Sequence, residues 1–348
     1  DKDLVFLSFL IYSILFIIKF LKKSNYYNAL SLAFILSLTI NIRVIGIYLM
    51  LLIIFFVFFQ ALMKQNLFLK KINSLLIFIV LTLIFLYCFW PFLWESPLHN
   101  IIFALKSFSK YDWGLNVFYL GEFYLDKYLP WHYPYVYFFA TTPIILSVIT
   151  LLGISIIITR FVKRLFEIDD KKSAQDIWKS DRERTLLFIS FSVIIPLFLI
   201  FLFDSIIYNG WRHLYFLFPG LVILGVYFIE FCTFKLRKNS LVKIFPFLLI
   251  IIILNNVYNL VKLHPNQYIY FNNLYENKAN DLFEIDYWGV ANKQALKDIV
   301  ESNKHKTNLI IGVASFANLN LSKKMLNDEF KSKLIISGQD FAEADYIF

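Results

Sequence analysis

The sequence predicts a polytopic α-helical membrane protein with a small α/β domain at its C-terminal end. The first supporting observation is composition, because 59% of the 348 residues are hydrophobic and only 17% are charged. The second is that the apolar residues form repeated runs of about 20, which as helices cross a hydrocarbon core of ~30 Å. The third is a change of pattern after residue 263, where short helical and strand-like segments alternate. This composition excludes a soluble globular protein.

Eight apolar runs are predicted to span the membrane. They cover residues 4–20, 26–41, 44–63, 72–92, 136–159, 185–207, 214–234 and 241–261. The second run is short and has polar ends, so we expect it to pack inside the helix bundle. The two cysteines, Cys88 and Cys232, lie within apolar runs, which argues against a disulfide framework.

The basic residues between the runs predict the orientation of the chain. Lys22 and Lys23 follow the first run, and further basic residues lie in segments 64–71, 160–184 and 235–243. With eight spans, all four basic segments fall on one side of the membrane, which the positive-inside rule makes the cytoplasmic side. The net charge of +9 therefore reflects the loops, and no nucleic-acid partner is predicted. We predict a multi-pass protein of the inner (plasma) membrane that contacts membrane lipids.

Two domains are predicted. Residues 1–263 form the transmembrane domain, with an extracytoplasmic loop at 93–135 whose Trp, Tyr, Phe and Pro content indicates interfacial helices such as 98–108. Residues 264–348 form an extracytoplasmic α/β domain. Within this domain, helices are predicted at 291–302 and 322–331, and strands at 308–313, 333–337 and 345–348. The alternation favours a partly parallel sheet.

The candidate site residues all lie at the predicted extracytoplasmic ends of spans or in the long loop on that side. They are Lys2, Asp3, Arg43, His132, Trp211, Arg212 and His213. The last three belong to a short polar turn, residues 208–213, between two long spans. An ionisable residue near the bilayer is costly and is usually kept for a pathway, a partner or a ligand. Arginine at this depth is suited to holding a lipid phosphate through two hydrogen bonds.

Simpler structural roles are open for the same residues. Arg212 could extend to lipid headgroups, and Trp211 could belong to the interfacial aromatic belt. His132 could stack beside Trp131 and Tyr133. Carboxylates next to a histidine could bind a divalent metal or act as a general base. No metal-ligand spacing as specific as paired Cys-x-x-Cys motifs occurs, so no cofactor is assigned and a divalent metal stays open.

Several segments of the chain carry a resemblance to a known family. They are residues 2–4 (KDL), 90–97 (WPFLWESP), 129–133 (LPWHY) with 141–143 (TTP), 210–213 (GWRH), 264–272 (HPNQYIYFN) and 286–289 (DYWG). In their order and spacing these segments resemble the bacterial polytopic glycosyltransferases of the C-type fold, the dolichyl-phosphate-mannose–protein mannosyltransferase-like group. Together they touch nearly the whole chain.

The resemblance implies inverting transfer of a hexosyl or pentosyl group from a polyprenyl-phosphate carrier, on the outer face of the cell envelope, to a glycan, lipid or protein acceptor. It implies that the main catalytic carboxylate lies in an external loop upstream of Asp1. Lys2 and Asp3 are similar to a position that lines the family's cavity, so Asp3 is the candidate catalytic residue. Arg212 and His213 match a hairpin that faces the carrier phosphate.

The alternative is a non-enzymatic membrane transporter of a lipid or glycan. Transporters of this size often show inverted repeats and spans interrupted by glycine or proline. Both features are scarce in this sequence, which favours the enzyme. The identities of the sugar and the acceptor stay open at this point.

Overall fold

A computed structural model describes residues 2–63, 68–110, 114, 116–166, 178, 180–235, 241–314 and 318–348. The chain divides into two compact units. The first comprises Asp1–Val117 and Tyr124–Ile252, and the second comprises Phe118–Phe123 and Ile253–Phe348. The domain boundary predicted at residues 263 and 264 stays a prediction.

The first unit is built from helices. They are α1 (Lys2–Lys22), α2 (Tyr26–Ile42), α3 (Ile47–Met63), α4 (Phe68–Phe89), α5 (Pro97–Ser109), α6 (Tyr133–Thr141), α7 (Ile144–Phe166), α8 (Asp181–Leu202) and α9 (Phe218–Lys235), followed by the start of α10 (Leu241–Lys262). Short 3-10 helices precede α3 at Val44–Gly46 and α9 at Arg212–Leu217. A two-stranded hairpin of β1 (Asn116–Tyr119) and β2 (Glu122–Leu125) lies between α5 and α6.

Six helical segments among the described residues are long and apolar enough to cross a membrane. They are Lys2–Lys22, Val44–Leu62, Phe68–Phe89, Ile144–Phe166, Asp181–Leu202 and Arg212–Lys235. The other two predicted spans coincide with the shorter apolar helices Tyr26–Ile42 and Leu249–Lys262. The protein is therefore mostly helical, with a small α/β part, as expected of a polytopic membrane protein. The predicted count of eight spans stays a prediction.

Prolines explain where helix ends differ from the predicted ones. The span predicted over 72–92 ends at Phe89, because Pro91 lacks an N–H and disfavours helical backbone at the residue before it. The span predicted over 136–159 is divided into α6 and α7 at Thr142, which is extended (φ −113°, ψ 141°) and precedes Pro143. The first break places Trp90 on the wall of the cavity described below.

Helix α7 packs very closely against α9. A Cβ atom added at Gly153 would collide with the carbonyl group of Leu224, so only glycine permits this approach. The hydroxyl of Thr150, one turn earlier on α7, hydrogen-bonds to the carbonyl of Leu221 at 3.0 Å. Small residues and interhelical hydrogen bonds are the usual means by which helices associate in membranes.

The second unit is an α/β fold around three parallel strands. Its elements are α11 (Ala279–Leu282), α12 (Asn292–Ser302), β3 (Leu309–Gly312), α13 (Leu319–Lys324), α14 (Asp328–Lys333), β4 (Leu334–Gly338) and β5 (Tyr346–Ile347). The strand order is β4-β3-β5, with both neighbours parallel to β3. Leu296 and Val300 of α12 are buried against Leu309, Ile311 and Leu334 of the sheet. The predicted helix at 291–302, the three predicted strands and the parallel sheet are confirmed.

Two predictions for the connecting segments were incomplete. The single helix predicted over 322–331 is two short helices, because the side chain of Asn327 accepts the Phe330 N–H at 3.1 Å and caps α14. The helix predicted at 98–108 is found as α5, and its interfacial position stays a prediction. The β1–β2 hairpin was not predicted. Its turn residues, Leu120 and Gly121, both have positive φ (53° and 86°), which matches the twist of a two-residue hairpin turn.

Candidate functional site

A cavity of about 520 Å³ lies at one end of the helices of the first unit. It is formed where α1 begins, α2 ends and the turn 205–214 leads into α9, with α5 along one side. Three cationic side chains line it, those of Lys2, Arg43 and Arg212. We call it the cationic cavity. Its remaining lining residues are Asn41, Ile42, Val44, Ile45, Trp90, Ala104, Ser107, Phe108, Ile200, Ser205, Ile206, Ile207, Tyr208, His213 and Leu214.

Asp3 joins the two arginines behind the cavity wall. Its carboxylate forms an ion pair with Arg43 Nη2, and its Oδ2 atom lies 3.4 Å from Arg212 Nε. The Asp3 and Arg43 side chains are only 8% and 6% exposed, so both charges depend on each other rather than on water. Asp3 itself is not among the residues that line the cavity. One carboxylate therefore fixes two guanidinium groups whose remaining surfaces face the cavity.

Neighbouring aromatic contacts explain why these charges meet. Phe6 lies one helical turn after Asp3, and Phe216 lies one turn after Arg212. Their rings pack edge to face with centroids 5.2 Å apart, which brings α1 against the 3-10 helix Arg212–Leu217. Arg43 follows α2 in an extended conformation (φ −146°, ψ 122°), so the chain changes direction there and its side chain reaches Asp3.

Among the described residues of the site, positive charges outnumber negative ones. Lys2, Arg43 and Arg212 contribute three positive charges, and Asp3 offsets one of them. Among the described residues that line the cationic cavity there is no aspartate or glutamate. Charged groups removed from water need a counter-charge or a hydrogen-bond partner. The arrangement therefore favours an anionic ligand.

The turn that carries Arg212 is held by hydrogen bonds to α5 and α6. The Gly210 N–H donates to the hydroxyl of Tyr133 at 2.8 Å, and the Ile206 N–H donates to the Ser109 carbonyl at 2.9 Å. Gly210 has a φ of 65°, which glycine adopts without strain, and a Cβ atom there would lie 3.2 Å from the Tyr137 ring. These contacts fix the backbone from which Arg212 and His213 project.

His213 lies on the wall of the cationic cavity. Its ring packs edge to face against Tyr208, with centroids 5.0 Å apart. Its Nε2 atom is buried and has no hydrogen-bond partner among the described residues. A buried imidazole nitrogen without a partner can donate to or accept from a ligand in the cavity.

Trp211 and His132 do not line the cationic cavity. The Trp211 indole N–H donates to the hydroxyl of Thr141 at 2.9 Å, and its ring packs against Phe138 at 5.1 Å. These contacts hold the turn against α6. His132 precedes α6 and packs edge to face against Trp131 at 5.6 Å. The substrate-binding role predicted for both residues stays a prediction.

Sequence reasoning missed the polar and aromatic residues that complete the cavity. Asn41 lies on its wall, and its amide donates to the carbonyl of Phe89 at 2.6 Å, which ties the end of α2 to the end of α4. Trp90 and Phe108 also line it. A run of aromatic residues is ordinary in a membrane protein, so no signal distinguished these positions.

A metal centre is not evident in the described part of the chain, where no group of three or more His, Cys, Asp or Glu side chains is placed to hold a metal ion. Comparison of the chain with protein-family models, curated proteins and solved structures finds no match. The fold and the site therefore define a polytopic membrane protein with a cationic cavity at one end of its helices.

Proposed function

We propose that this protein is a membrane glycosyltransferase that moves a sugar from a polyprenyl-phosphate-linked donor to an acceptor on the extracytoplasmic face. The observation that carries the proposal is the excess of positive charge in the cationic cavity. Three cations line it, and among the described residues the carboxylate of Asp3 contacts two of them and carries a single negative charge. The family resemblance of the sequence points to the same class of reaction.

The chemistry of the donor suits such a cavity. In the reaction, an acceptor oxygen forms a bond to the anomeric carbon of the sugar while the bond from that carbon to the carrier phosphate breaks. The electron pair of the broken bond stays on the phosphate, and the acceptor proton passes to a base. Negative charge on the phosphate therefore grows as the bond breaks, and fixed cations that meet this charge lower the barrier.

The residues take different roles in this proposal. Arg212 and Lys2 bind the carrier phosphate, and Arg43 reinforces the positive field from its more buried position. Asp3 holds the planes of the two guanidinium groups, so they need no reorganisation when the phosphate arrives. The catalytic role predicted for Asp3 stays a prediction. The sidedness belongs to the proposal and is supported by the basic segments at the opposite ends of the helices.

Replacing Arg212 by lysine tests the proposal. Lysine keeps the charge but cannot reproduce the planar fork that binds a phosphate through two hydrogen bonds. We expect Arg212→Lys to lower turnover roughly 10- to 100-fold, at ~1.4 kcal/mol for each tenfold. The measurement is transfer of radiolabelled sugar from synthetic polyprenyl-phosphate hexose and pentose donors in membrane vesicles.

Arg182→Lys is the matched control. Arg182 lies in the first turn of α8, at the opposite end of that helix from the cavity, and its side chain is 63% exposed in a pair with Glu230. Its replacement should leave transfer unchanged. Wild-type turnover in both Arg212→Lys and Arg212→Ala would contradict the proposal. Passage of the intact donor across vesicles without sugar transfer would support the transporter alternative.

A further inference from the structure

A second cavity, of about 230 Å³, lies within the second unit. We call it the tail cavity. It is lined by Asn259, Lys262, Leu263, Ile269, Tyr270, Phe271, Glu276, Ala279, Asn280 and Ile285. At ~30 Å³ per water molecule, its volume corresponds to roughly eight waters, which is about the space of one sugar ring. All of its lining residues belong to the second unit, so it is a site separate from the cationic cavity.

Five residues with polar side chains line the tail cavity, and these side chains have no hydrogen bond to the described residues. They are those of Asn259, Lys262, Tyr270, Glu276 and Asn280. Two carboxamides, an ammonium group, a phenol and a carboxylate together supply both donors and acceptors. A ligand with several hydroxyl groups, each of which donates and accepts, matches this mixture better than a ligand with one kind of group.

The tail cavity differs from the cationic cavity in its net charge. Lys262 contributes one positive charge, and Glu276 contributes one negative charge. Burial and the nearby negative charge of Glu276 raise the pKa of Tyr270, so its hydroxyl keeps its proton and can donate. A site with balanced charges favours a neutral polar ligand over a free phosphate.

Aromatic packing supports the apolar part of the wall. Phe271 is buried, and its ring stacks on Phe283 with centroids 5.2 Å apart and planes 25° apart. Tyr275 packs against the same Phe283 ring at 5.6 Å. The buried Asn272 shapes the turn that carries Glu276, because its backbone carbonyl accepts the N–H groups of Tyr275 (2.8 Å) and Glu276 (2.9 Å). Small-molecule sites commonly combine such a preformed apolar wall with a few polar groups.

We propose that the tail cavity binds one neutral sugar unit of a glycan. The amides of Asn259 and Asn280, the Glu276 carboxylate and the Lys262 ammonium group bind the hydroxyls. The wall formed by Leu263, Ile269, Phe271 and Ile285 covers the carbon–hydrogen face of the ring. This assignment goes beyond the transfer reaction and does not depend on it, because binding of a sugar needs no donor lipid.

The test is saturation-transfer NMR with methyl glycosides of hexoses and N-acetylhexosamines. The full chain is held in a detergent without a sugar head group. We expect Glu276→Ala and Asn280→Ala to weaken glycoside binding roughly tenfold each, the effect of losing a hydrogen bond of ~1.4 kcal/mol. Asn277→Ala is the matched control, because Asn277 is exposed in the same segment and does not line the cavity.

Each outcome decides the proposal. Loss of glycoside binding in Glu276→Ala and Asn280→Ala, with normal binding in Asn277→Ala, supports it. Asn280 is exposed, so its replacement tests binding even if Glu276→Ala fails to fold. Equal binding in all variants, or no glycoside binding by the wild type, overturns it. Binding of glycerol 3-phosphate in place of the glycosides also overturns it and reassigns the cavity to a lipid headgroup. Sugar transfer is measured separately, so failure of one proposal does not decide the other.

Discussion

Asp3 is the residue on which the cationic cavity depends most directly. Its carboxylate is buried and contacts two arginines that come from separate parts of the chain. A carboxylate shared in this way cannot neutralise both guanidinium groups. It instead holds two cations close together at the wall of a cavity, against their mutual repulsion.

Replacing Asp3 by asparagine should destabilise the protein and make it respond to phosphate. Removing one partner of a buried ion pair costs roughly 3–5 kcal/mol, because the other charge is left uncompensated. We therefore expect Asp3→Asn to lower the midpoint of thermal unfolding in detergent. Inorganic phosphate should raise that midpoint more in the variant than in the wild type, since an anion in the cavity would replace the lost carboxylate.

Asp204→Asn is the control for this measurement. The Asp204 side chain is 84% exposed and its pair with Lys110 spans 3.5 Å, so the expected change in the free energy of unfolding is about 0–1 kcal/mol. If Asp3→Asn is as stable as Asp204→Asn, the carboxylate does not hold the arginines. If phosphate has no greater effect on Asp3→Asn than on the wild type, an anion does not take the place of the lost carboxylate.

The contacts of Asp345 predict that the free energy of unfolding of the second unit depends on pH. Hydrogen bonds from the Lys306 side chain (2.6 Å) and from the Ile310 N–H (2.9 Å) hold the pKa of Asp345 below its usual range. A carboxyl group with a depressed pKa stabilises the fold above the pKa of the unfolded chain, ~3.9, and loses this effect as the pH falls through its folded pKa. Wild type should therefore be more stable than Asp345→Asn at neutral pH, and the two should converge in acid.

Thermal unfolding followed from neutral to acid pH measures this difference. Asp328→Asn provides the comparison, because Asp328 also pairs with a lysine, Lys331, but its side chain is fully exposed at 100%. Its difference from the wild type should be small at every pH. A difference between the wild type and Asp345→Asn that grows in acid would contradict the prediction.

At the scale of elements, the backbone of the turn 205–214 is held by a side-chain hydrogen bond from Tyr133 of α6. The Tyr133 hydroxyl accepts the buried Gly210 N–H, so Tyr133→Phe leaves that N–H without its acceptor. The expected cost is about 1–3 kcal/mol in the free energy of unfolding. Sugar transfer should fall as well, because Arg212 lies two residues beyond Gly210.

Tyr128→Phe is the matched control, because Tyr128 is 67% exposed and precedes the same helix. It should unfold at the wild-type temperature and keep its activity. Equal stability of the two variants would show that the bond to Gly210 contributes nothing. Lower stability with full activity in Tyr133→Phe would show that the hydrogen bond to Gly210 is not needed to position Arg212 for transfer.

The elements that could be predicted were those with a long apolar run or a clear pattern of alternating hydrophobic and polar residues. The apolar runs predicted α1, α4, α7, α8 and α9, because hydrophobicity over about 20 residues is a regional property. Their ends were less predictable. Pro91 and Pro143 lie inside apolar stretches, and the hydrophobic pattern concealed the breaks that their missing N–H groups require. The β1–β2 turn was missed because Leu120 rarely adopts the positive φ that it has there.

At the scale of the whole molecule, the sequence predicted site residues but not their partners. Arg43 and Arg212 were predicted as cations at the same face, since each lies at the end of an apolar run. Both arginines contact Asp3 because α1 packs against the 3-10 helix Arg212–Leu217 through Phe6 and Phe216. Local sequence patterns do not predict such packing between distant segments. The orientation of the Trp211 side chain also depends on a residue distant in sequence, Thr141, whose hydroxyl accepts the indole N–H. The tail cavity went unnoticed because asparagine, lysine and glutamate are ordinary at a protein surface.

The orientation of the protein can be tested by cysteine accessibility. The background is Cys88→Ala with Cys232→Ala, the replacement of both free cysteines. Lys23→Cys, after the first helix, is predicted to be cytoplasmic, and Asn277→Cys, in the second unit, is predicted to be extracytoplasmic. A membrane-impermeant maleimide should label only Asn277→Cys in intact cells and both after permeabilisation. Labelling of Lys23→Cys in intact cells would contradict the predicted orientation.

The position of Arg212 late in the chain has a consequence for biosynthesis. Ribosomes add about 5–20 residues per second, so Asp3 and Arg43 precede Arg212 by roughly ten to forty seconds. During that interval Asp3 and Arg43 can form a neutral pair, and Lys2 is the only unbalanced cation of the three that line the finished cavity. We therefore expect a nascent chain to attract anionic lipids weakly at this end. The full positive field is expected only when the last of the three segments has been inserted. If the proposed function holds, an unfinished protein would then not sequester the carrier lipid.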